Sequence, residues 1–128
     1  MPLPELRREL RGRIDEFDRV LRGLDSYRSL VRASLYRHRI RCGHPGCRCA
    51  RGSGHPRWCL SFSSARGRHT RTLSPEELRT VTPAAEAYRR YRRVRARAAR
   101  LAQQIFRLID RIQKGLERPI ARVLTGRR

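Results

Sequence analysis

The chain has 128 residues, with 32 Lys and Arg against 11 Asp and Glu and a net charge of +21; its pI is near 11.7 and its mean hydropathy −0.74. This length lies below the usual figure of about 150 residues per domain, which allows one domain, or one small core with appended helices, and excludes a multidomain enzyme. No apolar run approaches the roughly 18 residues that cross a bilayer, and no apolar leader follows the N-terminus.

These features predict a soluble, cytoplasmic chain with no membrane partner and no small-molecule substrate. Its four cysteines then belong in a reducing compartment, where metal ligation outranks disulfides. An excess of cations beyond what solubility asks for points to a polyanionic partner. Lys114 is the one lysine, and the other basic residues are arginines, whose planar forks suit phosphate. The charge is uneven. Residues 1–26 carry six Arg and six acids, whereas residues 27–128 carry 26 basic and five acidic residues, so the polyanion site is expected after residue 26.

Leu3, Leu6, Leu10, Ile14, Phe17, Leu21 and Leu24 recur at spacings of three and four, one apolar stripe that predicts a helix over 4–24. Asp25 and Ser26 cap a following helix through Leu30, Val31 and Leu35 to about His38, unless one helix continues through Gly23. Residues 42–54 show neither a helical nor a strand period. Trp58, Leu60 and Phe62 then alternate with Arg57, Cys59, Ser61 and Ser63. Ala65, Arg66, Gly67 and Arg68 form a turn and residues 69–73 alternate again, which predicts a β-hairpin.

Ser74, Pro75 and Glu77 supply an N-cap, an N1 proline and a capping-box acid for a short helix over about 75–80. Thr82 and Pro83 repeat the signal for a long helix to about Lys114, with Gly115 as its stop. In that helix Tyr91, Val94, Ala98, Leu101, Ile105, Leu108 and Ile112 keep heptad spacing. The expected fold is therefore mainly α with a small β-hairpin. Long N- and C-terminal helices pair coiled-coil-like, within one chain or between copies, and flank a zinc-knuckle loop. The corresponding segments are a helical 1–40, a metal loop and hairpin over 41–73, a short and a long helix over 74–115, and a basic tail, 116–128, that contains Pro119 and ends in Arg127 and Arg128.

Cys42, Cys47 and Cys49 fall within the loop sequence CGHPGCRC, and His55 and Cys59 follow. Thiolates and imidazole at this density suit Zn2+, and the interspersed glycines let the backbone turn them toward one ion. An iron–sulfur cluster is the rival reading, because C-x4-C-x-C is one residue short of the ferredoxin spacing; plain buried thiols are the remaining one. His55 and Cys59 both qualify as the fourth ligand. His44, where the loop must bend away, is left as a contact outside the ligand set or with nucleic acid.

Residues 41–50 (RCGHPGCRCA), 54–61 (GHPRWCLS), the hairpin RGRHTRTLSPEEL and the helix start YRRYRR together resemble a family of uncharacterised bacterial proteins. That domain of unknown function has a core like CGKPxCxCA, then HGPYWYLS, GKTR and a Tyr/Arg-rich helix, and often neighbours transposase and other mobile-element genes. The resemblance covers roughly residues 34–105. It implies that Cys42, Cys47, Cys49 and His55 are the motif residues, which favours a site with one histidine. The chain departs from the pattern by lacking a glycine between His55 and Pro56 and by placing Cys59 where an aromatic is expected, which keeps the all-cysteine site open.

Arg37, Arg39, Arg41, Arg48, Arg51 and Arg57 surround the loop, Arg66, Arg68 and Arg71 lie on the hairpin, and Arg89, Arg90, Arg92, Arg93, Arg95, Arg97 and Arg100 flank the last apolar stripe. No acid occurs between Glu86 and Asp110, so these are candidate phosphate contacts rather than a salt-bridged helix face. Trp58, Phe62, Tyr88 and Tyr91 either stack unpaired bases or pack in the core. No helix-turn-helix, C2H2 finger or RNP sequence appears, and RNA and DNA stay equally open.

The leading expectation is a non-catalytic, zinc-stabilised nucleic-acid-binding protein; the resemblance adds an accessory role in a mobile-element or RNA-guided ribonucleoprotein. An adaptor docking by its heptad helices on a larger RNA–protein particle is the second class. A metal-dependent nuclease is the third, disfavoured because residues 27–75 contain no Asp or Glu to serve as general base.

Overall fold

A computed structural model describes residues 1–126. In chain order it contains α1 (Leu3–Leu24), β1 (Ala33–Ile40), a 3-10 turn (Arg48–Arg51), β2 (His55–Ser64), β3 (Gly67–Thr72), α2 (Pro75–Leu116) and α3 (Ile120–Leu124). Among the described residues, no helix is long and apolar enough to cross a membrane. The chain divides into two compact units, residues 27–92 and residues 1–26 with 93 onward.

The unit over 27–92 is built on a three-stranded antiparallel sheet in the order β1-β2-β3. Among the described residues helices take 58% and strands 19%, so the expectation of a mainly α chain with a small hairpin is corrected. The segment expected to continue as helix toward His38 is β1. Ser26, expected to cap that helix, instead donates its hydroxyl to the Gly23 carbonyl at 2.8 Å and closes the end of α1. The physical reason is non-local. In the β1–β2 register Ala33 faces Phe62 and Leu35 faces Leu60, cross-strand apolar pairs that override a weak local helix signal.

β2 and β3 meet in a two-residue turn at Ala65 and Arg66, with Gly67 at φ +116°, a conformation suited to glycine. One face of the sheet carries Ala33, Leu35, Trp58, Leu60 and Phe62; the start of α2 shares with it the linings of two clefts. Val31 donates its backbone N–H to the Ala84 carbonyl at 3.0 Å, and Tyr27 meets Tyr91 edge to face with centroids 5.3 Å apart.

Ser74 and Glu77 form the expected capping box: the Glu77 N–H donates to Ser74 Oγ at 3.1 Å and the Ser74 N–H to Glu77 Oε1 at 3.2 Å. The helix that begins there does not stop at Thr82. Pro83 lies inside α2, and the Thr82 hydroxyl, expected to cap a new helix, donates backward to the Leu78 carbonyl at 2.6 Å. A proline costs one N–H but does not end a helix whose flanking turns are held by other packing.

In the other unit, Leu6, Ala98, Leu101 and Leu108 are buried, Glu16 pairs with Arg97, and a Cβ added to Gly115 would come within 2.9 Å of Leu3. Coiled-coil-like pairing of the two terminal helices is not shown. Ile14 and Leu21, stripe positions that such a seam would bury, remain 45% and 40% exposed. The segment expected as a basic tail forms α3 behind Pro119; Arg127 and Arg128 lie outside the described residues.

Candidate metal centre

The metal loop is the connection between two paired strands. Ile40 at the end of β1 lies opposite His55 at the start of β2, so residues 41–54 leave and rejoin the sheet at one place. Gly54 makes the return possible: its φ is +93°, and a Cβ there would lie 2.5 Å from the Ile40 carbonyl carbon. Within the loop the Cys47 N–H donates to the His44 carbonyl at 3.1 Å, and the Ala50 and Gly52 N–H groups donate to Cys47 and Cys49. Arg41 Nε donates to the Gly52 carbonyl at 3.1 Å and ties the two ends of the loop together.

This winding brings together Cys42, Cys47, Cys49 and His55, whose ligand atoms all lie within 4.8 Å of one another. Cys42 and Cys49 Sγ are 3.3 Å apart, and Cys47 Sγ is 3.1 Å from His55 Nε2. Cys49 is buried on the 3-10 turn and also accepts the Cys42 N–H at 3.3 Å. A tetrahedral ion bound at about 2.3 Å to thiolates would set them roughly 3.8 Å apart, so the cluster has the span of one ion. Three sulfurs and one imidazole at this span are a donor set that can hold a metal ion.

The electrostatics fit a cation. The His44 backbone N–H, helped by Cys49, His55 and Cys47, pulls the Cys42 thiol down to about 6. Cys49 accepts the Cys42 N–H, which favours its thiolate, yet burial and the neighbouring Cys42 and Cys47 sulfurs push it above its ordinary value. Three thiols facing one point repel each other as they ionise, and a positive ion among them removes that cost.

The choice between His55 and Cys59 is resolved in placement. Cys59 is 1% exposed at the middle of β2, between Tyr36 and Thr72 in the register, and lies outside the cluster. His44 is exposed and contributes its backbone. Gly54 is one of the interspersed glycines expected to let the backbone turn, but the spacing did not single it out as the one that packs against Ile40 where the loop closes. The signal available was its position directly before the ligand His55.

All the candidate phosphate contacts are exposed: Arg37 and Arg39 on β1, Arg41, Arg48 and Arg51 on the loop, and Arg57 on β2. Arg66 lies at the hairpin turn, Arg68 and Arg71 on β3, and Arg89, Arg90, Arg92, Arg93, Arg95, Arg97 and Arg100 on α2. Arg71 pairs with Glu77 and Arg97 with Glu16. Among the described residues the other fourteen form no salt bridge. Of the aromatics singled out for stacking, Phe62, Tyr88 and Tyr91 are half-buried, and Trp58 is 38% exposed with the Arg37 guanidinium 5.8 Å from its ring centroid.

Fold and cluster together define a small α+β module whose set of three cysteines and one histidine can hold one metal ion in a strand-to-strand loop. Residues 3–82 match the family described as Domain of unknown function (DUF6788), and the chain belongs to that family. The match runs from α1 through the cluster and the sheet into α2, beginning well before residue 34 and ending before residue 105. No curated protein and no solved structure matches the chain.

Proposed function

We propose that the chain is a non-catalytic nucleic-acid-binding protein whose 41–54 loop is held by Zn2+ on Cys42, Cys47, Cys49 and His55. The observation that carries this reading is the set of exposed arginines on that loop and on the strands that flank it, Arg37, Arg39, Arg41, Arg48, Arg51 and Arg57, which have no carboxylate partner among the described residues. Guanidinium groups fixed on a rigid loop and left without internal anions are suited to phosphate.

A structural role for the ion is supported by the donor count. Four protein ligands complete a tetrahedron and leave no position for a substrate water. Residues 27–75 also supply no carboxylate as general base. The ion would contribute folding energy, and the arginines would contribute binding. An accessory role in a mobile-element or RNA-guided ribonucleoprotein rests on the resemblance of the cysteine and His-Pro-aromatic motifs. An adaptor role is the second reading, favoured by Ile120, Val123 and Leu124, which are 75%, 62% and 78% exposed.

The test is charge reversal of Arg48, Arg51, Arg66 and Arg68 to Glu, with affinity for a DNA duplex measured across a salt series. If these residues hold phosphates, affinity drops and the slope of log K against log salt falls by roughly three to four. An unchanged affinity and slope rejects the surface. Metal content by mass spectrometry decides zinc against iron.

A further inference from the structure

Beside Trp58 the sheet and α2 leave a cleft of about 340 Å3, lined by Leu35, Trp58, Leu78, Thr82, Ala85, Glu86 and Arg89. We infer that this cleft receives one unpaired nucleobase carrying an exocyclic amino group. The inference rests on the nucleic-acid-binding reading above and names the feature of the polymer that this surface selects.

The shape comes first. A volume near the lower end of the roughly 300–1,000 Å3 of ligand sites suits one planar ring system. Trp58 lines this cleft and is 38% exposed, a large exposure for the chain's single tryptophan that a flat partner would reduce. Leu35, Leu78 and Ala85 supply aliphatic walls for the faces of a ring lying on Trp58.

The rim supplies the rest. The Arg37 guanidinium lies 5.8 Å from the Trp58 centroid, and Arg89 lines the cleft, so a phosphodiester leading to the bound base meets cations. Glu86 is out of place on a phosphate-binding surface but in place against a base. Its carboxylate accepts hydrogen bonds and donates none. The Thr82 hydroxyl hydrogen is committed to the Leu78 carbonyl at 2.6 Å, so Thr82 also presents an acceptor. Cytosine, adenine and guanine offer such acceptors an amino group with two hydrogens, whereas thymine and uracil offer one imide N–H flanked by two carbonyl oxygens that face the same acceptors unfavourably. A phosphate seated in the cleft would instead meet the Glu86 charge.

Because Trp58 is the only tryptophan, its fluorescence reports this cleft in the intact, metal-loaded protein. Single-stranded oligo-dC, oligo-dT and an abasic oligomer, each of about a dozen nucleotides, serve as probes. The expected result is that all three bind with a similar salt slope, while oligo-dC binds roughly tenfold tighter than the abasic strand and quenches Trp58 most strongly. Trp58→Phe keeps the preference for oligo-dC over the abasic strand, and Trp58→Leu removes it. Equal affinity for oligo-dC and the abasic strand with unchanged fluorescence overturns the base site and leaves phosphate binding standing. Equal quenching by oligo-dT and oligo-dC overturns the role of Glu86. Failure of all three strands to bind at low salt rejects the nucleic-acid reading itself.

Discussion

Gly54 runs so close beneath Ile40 that a methyl group on it would lie 2.6 Å from the Ile40 carbonyl oxygen. Both contacts are with backbone, so no side-chain rotation relieves them, and the φ of +93° disfavours any L side chain. Gly54→Ala is therefore expected to destabilise the protein by more than about 2 kcal/mol and to weaken metal binding, since Gly54 delivers His55 to the cluster. Gly67 is the control: its φ is +116°, but nothing lies within 4 Å of an added Cβ. Gly67→Ala is expected to cost only about 1 kcal/mol and to leave metal affinity unchanged. Urea unfolding and metal titration of the two variants check the contrast, and equal losses would refute it.

The two buried cysteines divide by role. Cys49 sits in the cluster and Cys59 in the middle of the sheet, although both are nearly inaccessible. Cys49→Ser is expected to lose the ion and leave the 41–54 loop open to protease. Cys59→Ser is expected to keep one ion per chain and lose about 1–3 kcal/mol through a hydroxyl buried in an apolar place. Metal-to-protein ratios after chelator dialysis measure this, and loss of the ion from Cys59→Ser alone would reverse the assignment.

The three cysteine ligands and the loop were readable because cysteine density and missing periodicity are local properties of residues 42–54. The strand β1 was not readable. Leu30, Val31 and Leu35 fit a helical spacing, and what makes Leu35 a strand residue is Leu60, far along the chain. With β1 unseen, the mouth formed by Ile40 and His55 was invisible too, and with it the reason for choosing His55 over Cys59. The Thr82–Pro83 pair misled for the opposite reason: it is a strong local start signal, overridden by a helix already under way from Ser74. The stripe on α1 marked a helix correctly but could not report that Ile14 and Leu21 stay exposed, because periodicity shows which residues share a face and not what covers it.

Acid should loosen the junction between β3 and α2. The Ser74 backbone N–H and hydroxyl, with Arg71 beside them, hold the Glu77 carboxyl below its ordinary value. A folded-state pKa that is depressed gives stability present above the unfolded pKa and lost as pH falls through the folded one. Wild type is expected to exceed Glu77→Gln in urea midpoint at neutral pH, with the gap closing below about pH 4. Taking the difference cancels the loss of metal that acid causes in both proteins. A gap that persists at low pH would show that the capping box acts through its geometry and not its charge.

Pro83 supplies the last prediction. Inside α2 it has no N–H to give the Arg79 carbonyl, and the Thr80 and Thr82 hydroxyls donate to Glu76 and Leu78, not to Arg79. Pro83→Ala restores that bond and removes the ring from the preceding turn. Proline in a helix interior costs up to about 3 kcal/mol; Pro83 is itself exposed, so its replacement opens no cavity. The variant is expected to be more stable than wild type by about 1–2 kcal/mol, read as a higher urea midpoint at unchanged m. Metal content is expected to stay the same, because the cluster draws its ligands from residues 42–55 alone. A destabilised variant would mean that the proline ring is itself required where α2 lines a cleft with Leu35 and Trp58.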